Sequence, residues 1–210
     1  MLARENPFAA ERILNVRYRF NASSWREFRE QLERQQFRGT IWGAKGSGKT
    51  TLLEDLARVL QTEGRAVHSL RFSGDHRPRL AELAHELSLV TATAVVLIDG
   101  AEQFTPWNWA RLMIRLPPRC GLIITSHRRG WLQPLWHCET SLQLFDGVLQ
   151  ELLGDAWLRW RPRAHELFDV HDGNIRDALR GLYDDSARCA AGELEKVIHL
   201  DRDVKTSAVS

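Results

Sequence analysis

The octapeptide GAKGSGKT at positions 43–50 constrains this chain more than any other stretch of its sequence. It has the form G-x-x-x-x-G-K-[ST], in which glycines let the backbone curl so that successive N–H groups face an anion. An apolar run, Gly39 to Trp42, precedes it, and apolar residues recur at helical spacing from Leu52 to Leu60. The sequence therefore predicts a strand, a glycine turn and a helix, the context that a phosphate-binding loop requires.

The residue types of this loop suit a nucleoside triphosphate bound with Mg²⁺. A helix that begins near Gly48 offers unpaired N–H groups and the positive end of its dipole to phosphate. Lys49 can reach the β- and γ-phosphates, and Thr50 can offer its hydroxyl to Mg²⁺. The alternative is a glycine-rich turn that matches by chance, and the motif alone does not indicate hydrolysis. The predicted nucleotide contacts are Gly43, Ala44, Lys45, Gly46, Ser47, Gly48, Lys49, Thr50 and Thr51.

Length and composition leave room for one α/β core with a small appendage. The 210 residues carry a formal net charge of only +2, which calls for no nucleic-acid partner. Cys120, Cys138 and Cys189 show neither a disulfide framework nor a C-x-x-C motif, and a reducing compartment fits them. Because the sequence also lacks a signal-peptide pattern and an apolar run of membrane-spanning length, we expect a cytoplasmic protein.

Hydrophobic patterns predict strands that alternate with helices, and hence a parallel sheet with helices on both faces. The alternation of Val16, Tyr18 and Phe20 predicts a short strand or extended arm, and Ser24 with Glu27 predicts a capping box at the next helix. The predicted core strands are 39–42, 66–72, 94–98 and 121–125, with 141–145 as a candidate fifth. The predicted helices are 24–36, one that begins near Gly48 and ends at Glu63-Gly64, 80–87, 106–116, 146–153, 162–170, 174–185 and one near 191–200.

The same patterns predict how the chain divides. We expect an N-terminal arm and helix over residues 1–36, a P-loop core over 37–146, a helical lid over 147–200 and a loose tail over 201–210. The change from alternating strands and helices to helices alone sets the boundary near residue 146.

Two acidic residues follow the apolar run 94–98. Asp99, at the carboxyl end of this strand, can hold Mg²⁺ through bound water; the alternative is an aspartate that begins a turn before Gly100. Glu102 comes three positions later and can activate water if its side chain reaches inward. Otherwise it is a solvated acid at the start of the next helix.

Polar residues also end the following strand, 121–125. If that strand lies between the phosphate-loop strand and the strand of the preceding aspartate, then Thr125, Ser126 or His127 faces the γ-phosphate and senses it or orients water. The alternative is an ordinary Ser/Thr cap, and the sequence does not choose among the three residues.

Three arginines further along the chain can meet phosphates. Arg128 and Arg129 suit an arginine finger directed at a neighbouring subunit, or a solvated pair. Arg176 stands at the start of a helix after Gly173, where it can meet the γ-phosphate and couple the lid to the nucleotide. The alternative is a surface arginine behind an Asn174 N-cap.

The order of these segments resembles that of the AAA+ superfamily and its STAND relatives. Residues 43–50, 95–99, 125–126 and 173–176 look like Walker A, Walker B, sensor 1 and sensor 2, so the resemblance covers about residues 5–185. The segment Asn6-Pro7-Phe8, followed by a helix and the loop, is similar to the N-terminal layout of ExeA and TnsC-like ATPases, in which the early segment lies near the adenine.

The resemblance implies an α/β P-loop NTPase fold of three layers, with a five-stranded parallel sheet of order 5-1-4-3-2 and a small C-terminal helical lid. It also implies binding of ATP with Mg²⁺, and often hydrolysis of ATP to ADP and phosphate. In many hydrolysing members an acid directly follows the metal-binding aspartate, whereas Gly100 does so here. The implied roles are phosphate binding for Lys49, Mg²⁺ binding for Thr50 and Asp99, water activation for Glu102, sensing for Thr125 or Ser126, and lid coupling for Arg176.

The predicted function is therefore that of an AAA+-like ATPase, which acts as a nucleotide-dependent switch or assembly factor through a protein partner or by self-assembly. Two alternatives stay open at this point. One is a P-loop kinase that phosphorylates a small acceptor, and the other is a module that binds ATP without turnover.

Several side chains suit a partner surface. If Trp107, Trp109, Trp131 and Trp136 are exposed, they mark a protein interface; the alternative is that they pack loops against the sheet. Arg17, Arg19, Arg26 and Arg29 can follow nucleic-acid phosphates, but a solvated helix face explains them equally well.

Overall fold

Apolar runs of the sequence form a five-stranded sheet in the structure, a computed structural model that describes residues 6–19, 22–72 and 85–190. All neighbouring strands pair in parallel, in the order β2-β3-β4-β1-β5. This is the predicted order 5-1-4-3-2, so the predicted fold class is confirmed. The strands are β1 (Arg38–Gly43), β2 (Val67–Arg71), β3 (Val95–Asp99), β4 (Gly121–Ser126) and β5 (Pro134–Cys138).

Helices cover both faces of the sheet because both faces of its central strands are apolar. On one face of β3, Leu97 packs in a cluster with Leu56 of α3. On the other face, Val96 packs in a cluster with Leu112 of α4. Each fully buried aliphatic side chain of this kind stabilises the fold by about 1.5–3 kcal/mol. The helices of this part are α2 (Ala22–Arg34), α3 (Lys49–Thr62) and α4 (Pro106–Arg115).

The described chain divides into two compact units. The core unit comprises residues 17–139 and contains the sheet, and the helical unit comprises the described parts of 1–16 and 140–210. The helices of the helical unit are α1 (Ala10–Leu14), α5 (Leu142–Leu153), α6 (Trp157–Val170) and α7 (Ile175–Ala190). None of the described helices is long and apolar enough to cross a membrane. The predicted domain boundaries at residues 36, 146 and 200 stay predictions.

The segment Asn6-Pro7-Phe8 is fixed within the helical unit. Asn6 accepts a hydrogen bond from the Phe8 N–H at 2.9 Å and donates its side-chain amide to the Tyr183 carbonyl at 3.0 Å. Phe8 is buried in the same cluster as Phe145 and Leu179. The polar residue and the aromatic residue therefore anchor this early segment to the C-terminal helices.

The predicted fifth strand was wrong. Ser141 is the N-cap of α5, and its hydroxyl accepts from the Leu144 N–H at 3.1 Å. The fifth strand is Pro134–Cys138, an edge strand that pairs only with β1 among the described strands. Proline is tolerated there because the first residue of an edge strand needs no ladder N–H.

Two further local predictions were wrong at the N-terminal end. Helix α2 begins at Ala22, so Ser24 lies inside the helix and does not form a capping box with Glu27. Residues 16–19 form no regular strand, and the short helix α1 precedes them. Phe20 and residues 80–84 and 191–210 of the predictions lie outside the described residues.

Two alanine substitutions on α4, one of a core side chain and one of a surface side chain, distinguish the effect of packing on stability from the effect of helix propensity. Leu112→Ala removes a side chain with 0% exposure and should lower the free energy of unfolding by about 2–5 kcal/mol. Ile114→Ala removes a side chain of the same helix that is 82% exposed, and it should change the free energy of unfolding by less than about 0.5 kcal/mol. Urea denaturation of both variants measures this, and equal losses would contradict the described packing.

Candidate active site

The segment 43–50 joins β1 to α3 at the carboxyl edge of the sheet. Gly48 is the N-cap of α3, and no side chain caps this helix end, so the positive end of the helix dipole at the loop suits an anion. The start of the loop is tightly enclosed: a Cβ added at Gly43 would lie 2.3 Å from the Cys138 carbonyl oxygen. Glycine at this position therefore lets the loop run directly against the end of β5.

Two polar groups of the loop are buried. Lys49 is 8% exposed, and its Nζ donates to the carbonyl oxygens of Gly43 at 2.9 Å and Ala44 at 2.7 Å. Ser47 Oγ is buried and makes no hydrogen bond among the described residues. Burial of a hydroxyl without a partner is costly, so this atom indicates a polar ligand inside the loop. An enclosed ammonium, an unsatisfied hydroxyl and a helix N-terminus without a side-chain cap together fit a phosphate.

Asp99 is the centre of a hydrogen-bond network. Thr50 donates its hydroxyl to Asp99 Oδ2 at 2.9 Å, and Thr125 donates its hydroxyl to Asp99 Oδ1 at 2.6 Å. Thr125 Oγ1 also accepts from the Gly100 N–H at 2.9 Å. The first turn of α3 and the ends of β3 and β4 therefore meet at one carboxylate. A carboxylate beside a threonine hydroxyl is a donor set that suits Mg²⁺, which prefers oxygen ligands.

Arg71 also contacts Asp99, and sequence reasoning missed it. Its Nε lies 3.4 Å from Asp99 Oδ2, and its other guanidinium nitrogen pairs with Glu54 of α3. A cavity of about 390 Å³ lined by Thr50, Ser69 and these residues opens at this point. Arg71 is the last residue of β2, and β2 pairs with β3 so that Arg71 lies opposite Asp99. This contact can be recognised from the sequence only once the pairing of these strands and its register are known.

Glu102 reaches the carboxyl edge of the sheet after a sharp turn. Gly100 has a φ of 88°, and an added Cβ would lie 2.1 Å from the Phe72 carbonyl oxygen, so only glycine fits. A 3₁₀ turn, Ala101–Gln103, follows and carries Glu102. Glu102 Oε1 lies 3.0 Å from His127 Nε2, so the structure brings together two residues that the sequence proposed separately.

Ser126 and the two arginines after it lie around the end of β4. Ser126 is buried, stands opposite Trp42 of β1, and accepts the Arg128 N–H at 3.4 Å. The Arg129 guanidinium lies 5.0 Å from the centroid of the Trp42 ring, which stacks on His137 at 3.6 Å. Arg128 and Arg129 are both exposed, and the guanidinium of Arg129 lies over a ring of its own chain.

Tyr18 packs against the phosphate loop, which its alternating pattern did not indicate. A Cβ added at Gly48 would lie 3.1 Å from Tyr18 Cε2, and the Tyr18 backbone N–H donates to Asp55 of α3 at 2.7 Å. Burial raises the pKa of the Tyr18 phenol above its ordinary value, and burial raises the pKa of the nearby Cys138 thiol to about 11. Burial therefore favours the protonated form of both groups at neutral pH.

Arg176 lies in the first turn of α7, within the helical unit. Asn174 accepts from the Asp177 N–H at 3.2 Å, an N-cap interaction that orders the start of this helix. Arg176 is exposed and lines a cavity of about 660 Å³ with Phe8, Ile13 and Arg180 of the same unit. Its guanidinium therefore stands beside the segment that Asn6 and Phe8 anchor.

Comparisons with known proteins give a limited similarity. No protein-family model and no curated protein matches the sequence. Among solved structures, the RuvB Holliday junction branch migration motor of Thermotoga maritima matches 82% of this chain and 72% of its own, at 15% identity and a TM-score of 0.49. A RuvB variant described as from Thermogota maritima matches 80% and 70%, at 14% identity and a TM-score of 0.48. At these values the similarity assigns no residue a role.

The turn at Gly100 offers a direct test because the chain contains a matched glycine. Gly64 has a φ of 80° with open space around its Cβ position, whereas Gly100 has a similar φ of 88° and faces backbone at 2.1 Å. Gly64→Ala should cost about 1–2 kcal/mol of unfolding free energy, the price of the left-handed conformation alone. Gly100→Ala should cost clearly more, because the Phe72 backbone must also move.

Thermal and urea denaturation of the two glycine variants measure the difference. Equal losses in stability would show that the turn at Gly100 has room for a side chain, and that Glu102 is not held by this close approach.

Proposed function

We propose that this chain is a Mg²⁺-dependent ATPase of the AAA+ type, which binds ATP and hydrolyses it to ADP and phosphate. The observation that carries the proposal is the joint hydrogen bonding of Thr50 and Thr125 to the two oxygens of Asp99, beside the loop that contains Lys49. These contacts bring the proposed metal-binding side chains, Thr50 and Asp99, to the same edge of the sheet as the proposed phosphate-binding Lys49. Bound ATP and Mg²⁺ supply the γ-phosphoryl group and a divalent charge that polarises it.

The loop would hold the phosphates with backbone and side-chain donors. Backbone N–H groups of residues 43–51 and the ammonium of Lys49 would bind the anion, and the unsatisfied Ser47 hydroxyl would add a donor. Thr50 and Asp99 would hold Mg²⁺, with Asp99 acting through bound water. Tyr18 closes the loop on one side and limits the access of water.

Glu102 is the proposed base. It would accept a proton from the attacking water, a role that typically contributes about 10²–10⁴-fold to a rate. Its position after the Gly100 turn supports this role, since the turn brings its carboxylate beside the end of β4. This supports hydrolysis over an ATP-binding module without turnover, although no acid directly follows Asp99.

Of the two sensor candidates, Ser126 is the better supported. Thr125 uses its hydroxyl proton on Asp99 and its lone pairs on Gly100, so it orients the metal-binding carboxylate. Ser126 accepts a weak bond from the Arg128 N–H and keeps its own proton to donate. We assign sensing of the γ-phosphate to Ser126 and orientation of Asp99 to Thr125.

We also propose that nucleotide binding changes the conformation of the helical unit. Arg176, exposed at the start of α7, would meet the γ-phosphate and couple the helical unit to the nucleotide. The anchored segment Asn6 to Phe8 is consistent with the narrower ExeA and TnsC-like layout. Both Arg128 and Arg129 are exposed, and Arg128 suits contact with a neighbouring subunit better because the Arg129 guanidinium already lies over the Trp42 ring. We also propose a cytoplasmic location.

The outer face of α4 supports a protein partner or self-assembly. Trp107 is 65% exposed and Ile114 is 82% exposed, and Arg111 between them lies 4.8 Å from the Trp107 ring centroid. Exposed Trp and Arg are the residue types that dominate protein interfaces. By contrast, Trp109 and Trp136 pack against the cores, as the packing alternative predicted.

Phosphate release by the purified chain with ATP and Mg²⁺ tests the function. Lys49→Ala should weaken ATP binding by about tenfold or more, because it removes a buried charged donor. Lys45→Ala should cost less, since it removes an exposed ammonium and keeps its backbone N–H. Glu102→Gln should retain ATP binding and lower kcat by about 10²–10⁴-fold. Transfer of phosphate to a small acceptor in place of water would favour the kinase alternative.

The division of roles between the two strand-end hydroxyls has its own test. Thr125→Val should raise the Mg²⁺ concentration needed for half-maximal activity, because Asp99 loses an orienting bond. Ser126→Ala should lower kcat and leave that concentration unchanged. The opposite pattern in a Mg²⁺ titration of the two variants would reverse the assignment.

A further inference from the structure

Glu102 and His127 form a side-chain pair at the carboxyl edge of the sheet. Glu102 Oε1 and His127 Nε2 lie 3.0 Å apart, and the two side chains are 29% and 45% exposed. Among the described residues, neither side chain makes another hydrogen bond or ion pair. The pair is therefore the one structural restraint that the described side chains place on the Glu102 carboxylate.

The fold brings the two residues together through the strand order. Glu102 follows β3 and His127 follows β4, which are parallel neighbours with Ile98 opposite Ile124. The left-handed turn at Gly100 sends the chain back, so that the 3₁₀ turn carrying Glu102 lies over the end of β4. On its other side β4 pairs with β1, which leads into the phosphate loop.

A carboxylate that takes a proton from water must present one oxygen in a fixed direction. A glutamate side chain has three rotatable bonds, and a partly exposed one gains little restraint from packing. A hydrogen bond to one carboxylate oxygen removes most of this freedom and leaves the second oxygen available. His127, with Nε2 protonated, supplies such a bond to Oε1.

We propose that His127 is a positioning residue that holds Glu102 for proton abstraction. His127 Nε2–H donates to Glu102 Oε1, and Glu102 Oε2 takes the proton of the attacking water. The water oxygen forms the bond to the γ-phosphorus, the bond from that phosphorus to the bridging oxygen breaks, and ADP leaves. The inference rests on the proposed hydrolysis, and it deepens that proposal by naming the residue that orients the base.

The chain contains a matched control pair. His137 Nδ1 lies 2.8 Å from Glu139 Oε1 at the end of β5, on the same edge of the sheet, and its side chain is 38% exposed. Glu139→Gln therefore changes a carboxylate that is paired with a histidine outside the proposed machinery, and it keeps the His137 ring stacked on Trp42. We expect it to leave kcat unchanged.

A double-mutant cycle in kcat is the decisive measurement. His127→Ala should lower kcat by about tenfold, which is part of the roughly 10²–10⁴-fold that a positioned base typically contributes. It should not change KM or the affinity for a non-hydrolysable ATP analogue. His127→Gln should recover part of the loss, because its amide can donate to Glu102. In a Glu102→Gln background, His127→Ala should cause no further loss, because the residue acts through Glu102.

The outcomes separate the inference from the function on which it rests. Absence of phosphate release from the wild type, or full turnover by Glu102→Gln, would overturn the proposed hydrolysis mechanism and the role of His127 with it. A large effect of Glu102→Gln together with no effect of His127→Ala would overturn the positioning role alone. So would an equal loss from His127→Ala in both backgrounds, or a loss as large as that of Glu102→Gln.

A measurement without nucleotide tests the contact itself. The ¹⁵N signals of the His127 ring should change in Glu102→Ala and stay unchanged in Glu139→Ala, while the His137 ring shows the reverse. His127 signals that do not respond to Glu102→Ala would exclude the hydrogen bond, and would overturn the inference whether or not the chain hydrolyses ATP.

Discussion

The hydrogen bonds to both oxygens of Asp99 are the interaction on which the candidate site depends. Thr50 approaches from α3, Thr125 from β4 and Arg71 from β2, so one carboxylate joins three strands and a helix. A carboxylate whose side chain is only 17% exposed needs such partners, because the loss of water must be offset. The start of α3, and with it the buried Lys49, is therefore tied to the sheet by this network.

The strand order determines which polar residues can join this network. Parallel strands end at one edge, and the order β2-β3-β4-β1-β5 places β4 between the strand of Asp99 and the strand of the phosphate loop. Thr125 and Ser126, adjacent in the sequence, consequently face different neighbours. Thr125 bonds to β3 through Asp99 and Gly100, whereas Ser126 stands opposite Trp42 of β1. Two similar hydroxyls thus acquire different neighbours within one sheet.

The sequence predicted the features that local chemistry dictates. The glycines, lysine and threonine of segment 43–50 define the strand, turn and helix around it, and the run ending in Asp99 is apolar throughout because both of its faces are buried. The strand order was predicted through the family resemblance of four short segments. Arg71 and the His127–Glu102 contact were not predicted, since each also depends on the strand register and on the path of the chain beyond the strand end, which the strand order alone does not give.

The errors in the strand and helix predictions have local physical causes. The alternation over 141–145 suits a strand, but Ser141 also suits an N-cap, and the apolar positions that follow continue at helical spacing into α5. The true edge strand, Pro134–Cys138, begins with proline and carries exposed residues, as an edge strand can. At Ser24 the capping pattern was present, but α2 had already begun at Ala22, because burial of Phe28 and Leu32 decides the position of the helix.

The position of Glu102 shows how a changed spacing alters what a site requires. An acidic residue directly after Asp99 would follow a buried strand without a turn between them, and the neighbouring strands would restrain its side chain. Glu102 instead stands in a 3₁₀ turn beyond Gly100, where its side chain is more exposed than that of Asp99. Hydrogen bonds from Thr50 and Thr125 order Asp99, whereas the proposed order of Glu102 comes from a side chain outside the strand. The end of β4 supplies His127 at that point, and for this reason a glutamate at this spacing and a histidine after Ser126 belong to one arrangement.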